Sequence, residues 1–144
     1  GEGSPELVAM VKNAKNCLYH GFLDHHQVLS LTRDCDFVFA HYSPHRIINI
    51  LAAPNKLAEG LALGRPVILN VETKVSGAVQ QNDCGIVTNY GDVSEIESHI
   101  ATILSEADSY QQMSIRAREL FEAEYSWDVI KSNIVDVYRN LEEN

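Results

Sequence analysis

The sequence predicts an α/β fold: a Rossmann-like open parallel sheet with helices on both faces and C-terminal helices packed alongside. Three observations predict it. Strand and helix signals alternate from Cys17 to Thr88. Val67-Ile68-Leu69 is a continuous apolar run of the kind buried on both faces of a parallel sheet. Beyond Asp92, apolar residues recur at helical spacing.

Gly1-Glu-Gly-Ser4 reads as a glycine-rich turn into a helix from Pro5 to Lys15, with Ser4 as cap and Leu7, Val8, Val11 and Ala14 inward. Such a turn normally follows a strand, so the first strand-helix unit is expected to be missing and the chain to begin partway through a domain. Cys17 to Leu23 is predicted to be a short strand, and Asp24 the cap of a helix from His25 to Arg33. Asp36 to Tyr42 is the next strand; Ser43 to Ala52 is a loop with a helical turn through Ile47 to Leu51.

The stretch from Ala53 to Asn70 organises the rest. Pro54 is expected at the first helical position, where its missing N–H is not needed. Leu57, Leu61 and Leu63 give the helix an apolar side, and Gly64 ends it in a left-handed residue. Arg65-Pro66 forces an extended entry into the strand. A loop to Ser76, a short helix from Gly77 to Asn82 and a strand from Asp83 to Thr88 follow, with right-handed crossovers expected throughout.

Three tail helices are predicted. Asp92 caps the first, bearing Val93, Ile96, Ile100, Ile103 and Leu104. The second runs from Ala107 to Ala123, with Tyr110, Met113, Ala117, Leu120 and Phe121 on one side. Ser126 caps the third, with Trp127, Ile130, Ile134, Val137, Tyr138 and Leu141 inward. No linker or repeat interrupts the pattern, so residues 1–144 are read as a single domain.

The 144 residues suit one core, with 45% hydrophobic and 22% charged residues, as in ordinary globular domains. A net charge of −9 argues against nucleic acid as a partner, because phosphate neutralisation needs a basic face. No apolar run reaches the roughly 18 residues that span a bilayer. Cys17, Cys35 and Cys84 are an odd, widely spaced set, read as reduced, small core residues of a cytosolic protein rather than a disulfide framework or metal site.

Asp34-Cys-Asp36 has a spacing that can hold a divalent metal, but it stands at a helix-to-strand junction where acidic residues serve as loop formers. The six histidines show no ligand spacing, so no metal site is expected. The helix beginning at Pro54 is more informative. Its start aims free N–H groups and a positive dipole end above the sheet. Lys56 and Glu59 stand three apart on it and can face one spot. Such a tip suits a ligand with both phosphate and hydroxyl groups; a packing helix with a solvated pair is the competing reading. Gly3, Gly21, Ser43, Lys56 and Gly77 all fall at predicted carboxyl ends of strands, where open parallel sheets gather ligands.

In order, these pieces resemble the C-terminal, donor-binding half of GT-B fold glycosyltransferases of family 4, the glycosyl transferases group 1 type. The resemblance rests on Gly1-Glu-Gly3, Tyr19-His-Gly-Phe22, Asp36-Phe-Val-Phe with Ser43, and Pro54-Asn-Lys-Leu-Ala-Glu-Gly-Leu-Ala-Leu-Gly-Arg-Pro-Val-Ile68. Cys84-Gly-Ile-Val87, Gly91-Asp92 and Tyr125-Ser-Trp127 complete it. The Pro-Asn-Lys form is similar to a branch found in enzymes of surface polysaccharide synthesis.

The resemblance implies a role for each matching position. Glu59 matches the second glutamate of the family's Glu-x7-Glu motif, a ribose-hydroxyl clamp. The first glutamate would fall at position 51, where this chain has Leu51. Pro54, Asn55 and Lys56 would meet the diphosphate, with Lys56 catalytic, and Ser43 would line the same edge. Gly77 would line the donor-sugar side, and Gly3, Ser4, Gly21 and Phe22 would border the base.

The implied activity is retaining transfer from a UDP or GDP sugar, with no metal or other cofactor, to a glycan or lipid-linked acceptor. The implied partners are the nucleotide-sugar donor and an N-terminal acceptor half not in this chain. That half would carry any peripheral association with the inner face of the membrane. The chain alone is expected to be inactive. A non-catalytic nucleotide-sugar or interaction module, and a GT-B-type sugar-nucleotide epimerase, are the alternatives.

Overall fold

Val67-Ile68-Leu69-Asn70 is buried at every position and forms the middle strand, β2 (Val67–Asn70), of a three-stranded sheet. It pairs in parallel with β1 (Val38–Ala40) and β3 (Gly85–Thr88), Val67 standing opposite both Val38 and Gly85. The computed structural model describes residues 3–142, which divide into two compact units, one ending at Leu31 and the other beginning at Thr32.

In the first unit, helix α1 (Pro5–Asn13) starts as expected: Ser4 accepts the Leu7 N–H at 3.4 Å and Pro5 occupies the first turn. Val8, Val11 and Ala14 are half-buried, while Leu7 is exposed. The strand predicted from Cys17 to Leu23 does not form. Leu18 is 86% and Phe22 83% exposed, so the run gains little of the burial that stabilises a sheet strand, and Gly21 (φ +71°) breaks the extended backbone. Asp24 and Gln27 exchange side-chain and backbone bonds of 2.9 and 3.1 Å, a reciprocal cap that opens α2 (His25–Arg33) at the predicted residue.

The second unit holds the sheet. After β1 come α3 (Ile47–Leu51) and α4 (Asn55–Ala62). Pro54 is the N-cap of α4 rather than its first helical residue, because its ψ of 140° is extended. Its carbonyl accepts the Leu57 N–H at 2.9 Å. Gly64 (φ +64°) ends the helix as predicted. A Cβ on Gly60 would stand 2.9 Å from a Val67 methyl and 3.1 Å from a Val38 methyl, so its absence lets α4 lie close on β1 and β2.

Alternate residues of β2 serve opposite faces. Val67 and Leu69 pack with Leu57 and Leu61 of α4 and with Val79 of α5 (Ser76–Gln81). Ile68 packs with Ile86, with Ile103 of α6 (Val93–Ser105) and with Met113 of α7 (Ala107–Leu120). Helices therefore cover both faces, each buried leucine or valine contributing about 1.5–3 kcal/mol. Asp92 caps α6 as expected, accepting the Glu95 N–H at 2.9 Å, but Val93 and Leu104 of its predicted stripe are exposed.

The tail differs from expectation in its π-helical turn and in the exposure of its last helix. α7 ends at Leu120 and continues as a π-helical turn over Phe121–Tyr125, closed by the Ser126 N–H on the Phe121 carbonyl at 2.8 Å. Ser126 stands where a cap is expected, extended and with its carbonyl accepting the Ile130 N–H at 3.0 Å, while its hydroxyl donates back to the Glu122 carbonyl at 3.3 Å. On α8 (Trp127–Glu142) the stripe predicted to face inward is exposed, Trp127, Tyr138 and Leu141 to 67–68%, because no other described element covers it. No helix among the described residues is long and apolar enough to cross a membrane.

Candidate functional site

The carboxyl edge of the sheet is polar where the rest of the core is apolar. The buried polar residues Asn70, Thr73, Ser76 and Thr88 all stand at or just beyond the ends of β2 and β3. Each has a partner there. Thr73 Oγ1 donates to the Asn70 carbonyl at 2.9 Å and Ser76 Oγ to the Thr73 carbonyl at 2.7 Å, closing the β2–α5 turn. The Asn70 side-chain oxygen accepts the Tyr42 N–H at 2.8 Å, and its amide donates to Glu72 Oε2 at 2.8 Å. The other Glu72 oxygen accepts the Tyr90 N–H at 3.3 Å.

His41 follows β1 on the same edge. Its Nε2 lies 3.3 Å from Thr88 Oγ1, and its ring stacks between Phe39 and Tyr90, with centroids 5.0 and 6.2 Å away. Burial pushes the imidazole pKa below its ordinary value, against the opposing pull of the Leu69 carbonyl and the Glu72 charge. The Asn70 amide is the main cause that holds the Glu72 carboxyl below its ordinary value.

The tip of α4 opens onto this edge. Pro54 offers no side-chain cap, so the first N–H groups of the helix stay available to a ligand. Asn55 and Lys56 are exposed on the first turn and Glu59 is half-buried one turn on. A 2.9 Å bond from the Lys74 N–H to the Ile50 carbonyl ties the β2–α5 turn to the segment feeding α4.

Of the predicted residues, Ser43, Pro54, Asn55, Lys56, Glu59 and Gly77 belong to the second unit: Ser43 after β1, Pro54 to Lys56 at the start of α4, Glu59 one turn on, and Gly77 in the first turn of α5. The Ser43 carbonyl accepts the Asn49 side-chain amide at 2.9 Å. Gly77 is exposed in the first turn of α5, with open space where a Cβ would stand. Gly3, Ser4, Gly21 and Phe22 belong to the first unit, on the α1 cap and on the segment that forms no strand.

Asn70, Glu72, Thr88 and Tyr90 were not singled out from the sequence. The available signal was a polar residue closing each buried strand: Asn70 after Val67-Ile-Leu69 and Thr88 after Ile86-Val87. Two concave features lie elsewhere among the described residues. One cavity of about 290 Å³ lies at the start of β3, lined by Asp83, His99, Ile103, Met113 and Arg116 among others. Another lies along the apolar side of α8.

Fold and edge together define a Rossmann-like α/β domain with an open helix tip above a parallel sheet. The chain belongs to the glycosyl transferases group 1 family, whose sequence model matches residues 5–120. Among solved structures it is similar to a sucrose-phosphate synthase from Thermosynechococcus elongatus, with a TM-score of 0.73 and 19% identity over 96% of this chain. The chain spans 33% of the length of that synthase. No curated protein matches the sequence.

Proposed function

We propose that this chain is the donor-binding half of a retaining GT-B glycosyltransferase of the Pro-Asn-Lys branch. It would move a sugar from a UDP or GDP donor to a glycan or lipid-linked acceptor in surface polysaccharide synthesis. The carrying observation is the α4 tip, which has no side-chain cap, bears exposed Lys56 and half-buried Glu59, and lies inside the family-matched segment.

The chemistry follows from charge. Departure of a nucleoside diphosphate develops negative charge on the bridging oxygen. Lys56 and the positive helix end stabilise that charge without rearranging. Glu59 accepts two ribose hydroxyl hydrogen bonds, a role suited to an ionised carboxylate. Gly77, with open space above it, lets a backbone N–H approach the donor sugar. Leu51 in place of a glutamate leaves one sugar contact to other groups on the edge. The acceptor is held by a second half, which would also make any contact with the membrane surface.

An assay of the intact protein with UDP-glucose and GDP-mannose tests the reading. Sugar transfer to an added glycan supports it. Epimerised donor without transfer identifies a sugar-nucleotide epimerase instead.

A further inference from the structure

We propose that Glu72 is a positioning residue of the donor site: through Asn70 it sets the strand exit that carries Ser43. The inference rests on the donor-binding reading above.

The geometry is a relay across three strand exits. Asn70 ends β2 fully buried, with its side-chain oxygen on the Tyr42 N–H at the exit of β1. An N–H can be met only by the carboxamide oxygen, so the Asn70 NH2 must turn the other way. There it meets Glu72 Oε2 at 2.8 Å, while Glu72 Oε1 takes the Tyr90 N–H at the exit of β3. A carboxylate only accepts hydrogen bonds, so Glu72 fixes the sense of the whole chain. Thr88 and His41 join the outer exits directly at 3.3 Å. Ser43, next to Tyr42, is held from its other side by Asn49 at 2.9 Å. Glu72 thus reaches the Ser43 loop without touching it.

The polarity of the relay makes the role separable from bulk. In Glu72→Gln the new amide group faces the Asn70 NH2 or the Tyr90 N–H, donor against donor. Turning Asn70 over relieves this only by presenting NH2 to the Tyr42 N–H. In the double variant Asn70→Asp with Glu72→Gln, Asp accepts from Tyr42 N–H and from the Gln amide, and the Gln oxygen accepts from Tyr90. All three bonds return with size and net charge unchanged.

The test follows amide hydrogen exchange at Tyr42 and calorimetric affinity for UDP and GDP in the wild-type chain, Glu72→Gln and the double variant. Expected are at least tenfold faster exchange at Tyr42 and about tenfold weaker nucleotide binding in Glu72→Gln, both largely restored in the double variant. Exchange at Tyr42 unchanged in Glu72→Gln overturns the relay. Faster exchange with unchanged affinity overturns its role in the donor site, since affinity refers only to folded protein and a purely structural bond would not move it. Wild-type protein that gives no heat with either nucleotide defeats the donor-binding reading itself. That outcome is distinct from failure of the relay, which the exchange data still report.

Discussion

The backbone N–H of Tyr42 ends on the side-chain oxygen of Asn70, 2.8 Å away, so the exit of one strand is fixed by the last side chain of its neighbour. Asn70 is fully buried, and its loss leaves both Tyr42 and Glu72 short of a partner. Asn70→Ala should therefore cost about 2 kcal/mol, measured by urea unfolding.

Gly85 should tolerate no side chain. A Cβ there would collide with the Val67 carbonyl and stand 2.7 Å from a Val79 methyl. Gly85→Ala is expected to destabilise by about 3 kcal/mol, the upper range for overpacking. Gly77→Ala, which meets open space in a helix, is the control. It should be neutral or stabilising by up to about 1 kcal/mol. The urea midpoint should fall below the parent's in Gly85→Ala and lie at or above it in Gly77→Ala.

Acid should weaken the fold in two windows. Burial depresses the His41 value below 6.5, so between the folded value and 6.5 the unfolded chain carries the extra proton. Stability from this group is complete above about pH 6.5 and falls as pH drops through that window. Glu72 is depressed below 4.5, so its contribution is complete above that value and is lost on further acidification. Urea unfolding across pH should show a shallower upper slope in His41→Gln and a shallower lower slope in Glu72→Gln.

The three cysteines should separate by reactivity. Cys84 is the core residue expected, buried against the Val79 carbonyl, and burial pushes its thiol up to about 11; Cys17 and Cys35, expected in the core as well, are exposed. Because the thiolate is the reactive form, a thiol reagent should modify two residues quickly and Cys84 only as the chain unfolds. Prompt labelling of all three would show that packing does not shield Cys84 in the folded chain.

The sequence was most legible where one residue type has one local consequence. Gly64 ends α4 through its own backbone and Asp92 caps α6 through its own side chain. The Val67–Leu69 run named the central strand because only a doubly covered strand is apolar at every position. Cys17–Leu23 misled because the same composition describes a strand and an uncovered apolar segment, and only tertiary burial separates them. The α8 stripe misled for the same reason: helical spacing shows which side is apolar, not what lies against it. The Asn70–Glu72–Tyr90 relay depends on the register of three strands and two turns, which no local pattern encodes.

The central claim is that the α4 tip holds a nucleoside diphosphate. Calorimetry of UDP and GDP against the wild-type chain, Lys56→Ala and Glu59→Ala tests it most directly. Both residues belong to α4 and neither is among its buried positions, so the variants should keep their fold. The account predicts binding of one nucleotide by the wild type, weakened about tenfold or more by either substitution, as loss of a charge-assisted contact requires. No binding by the wild type, or binding that both variants retain in full, would contradict it.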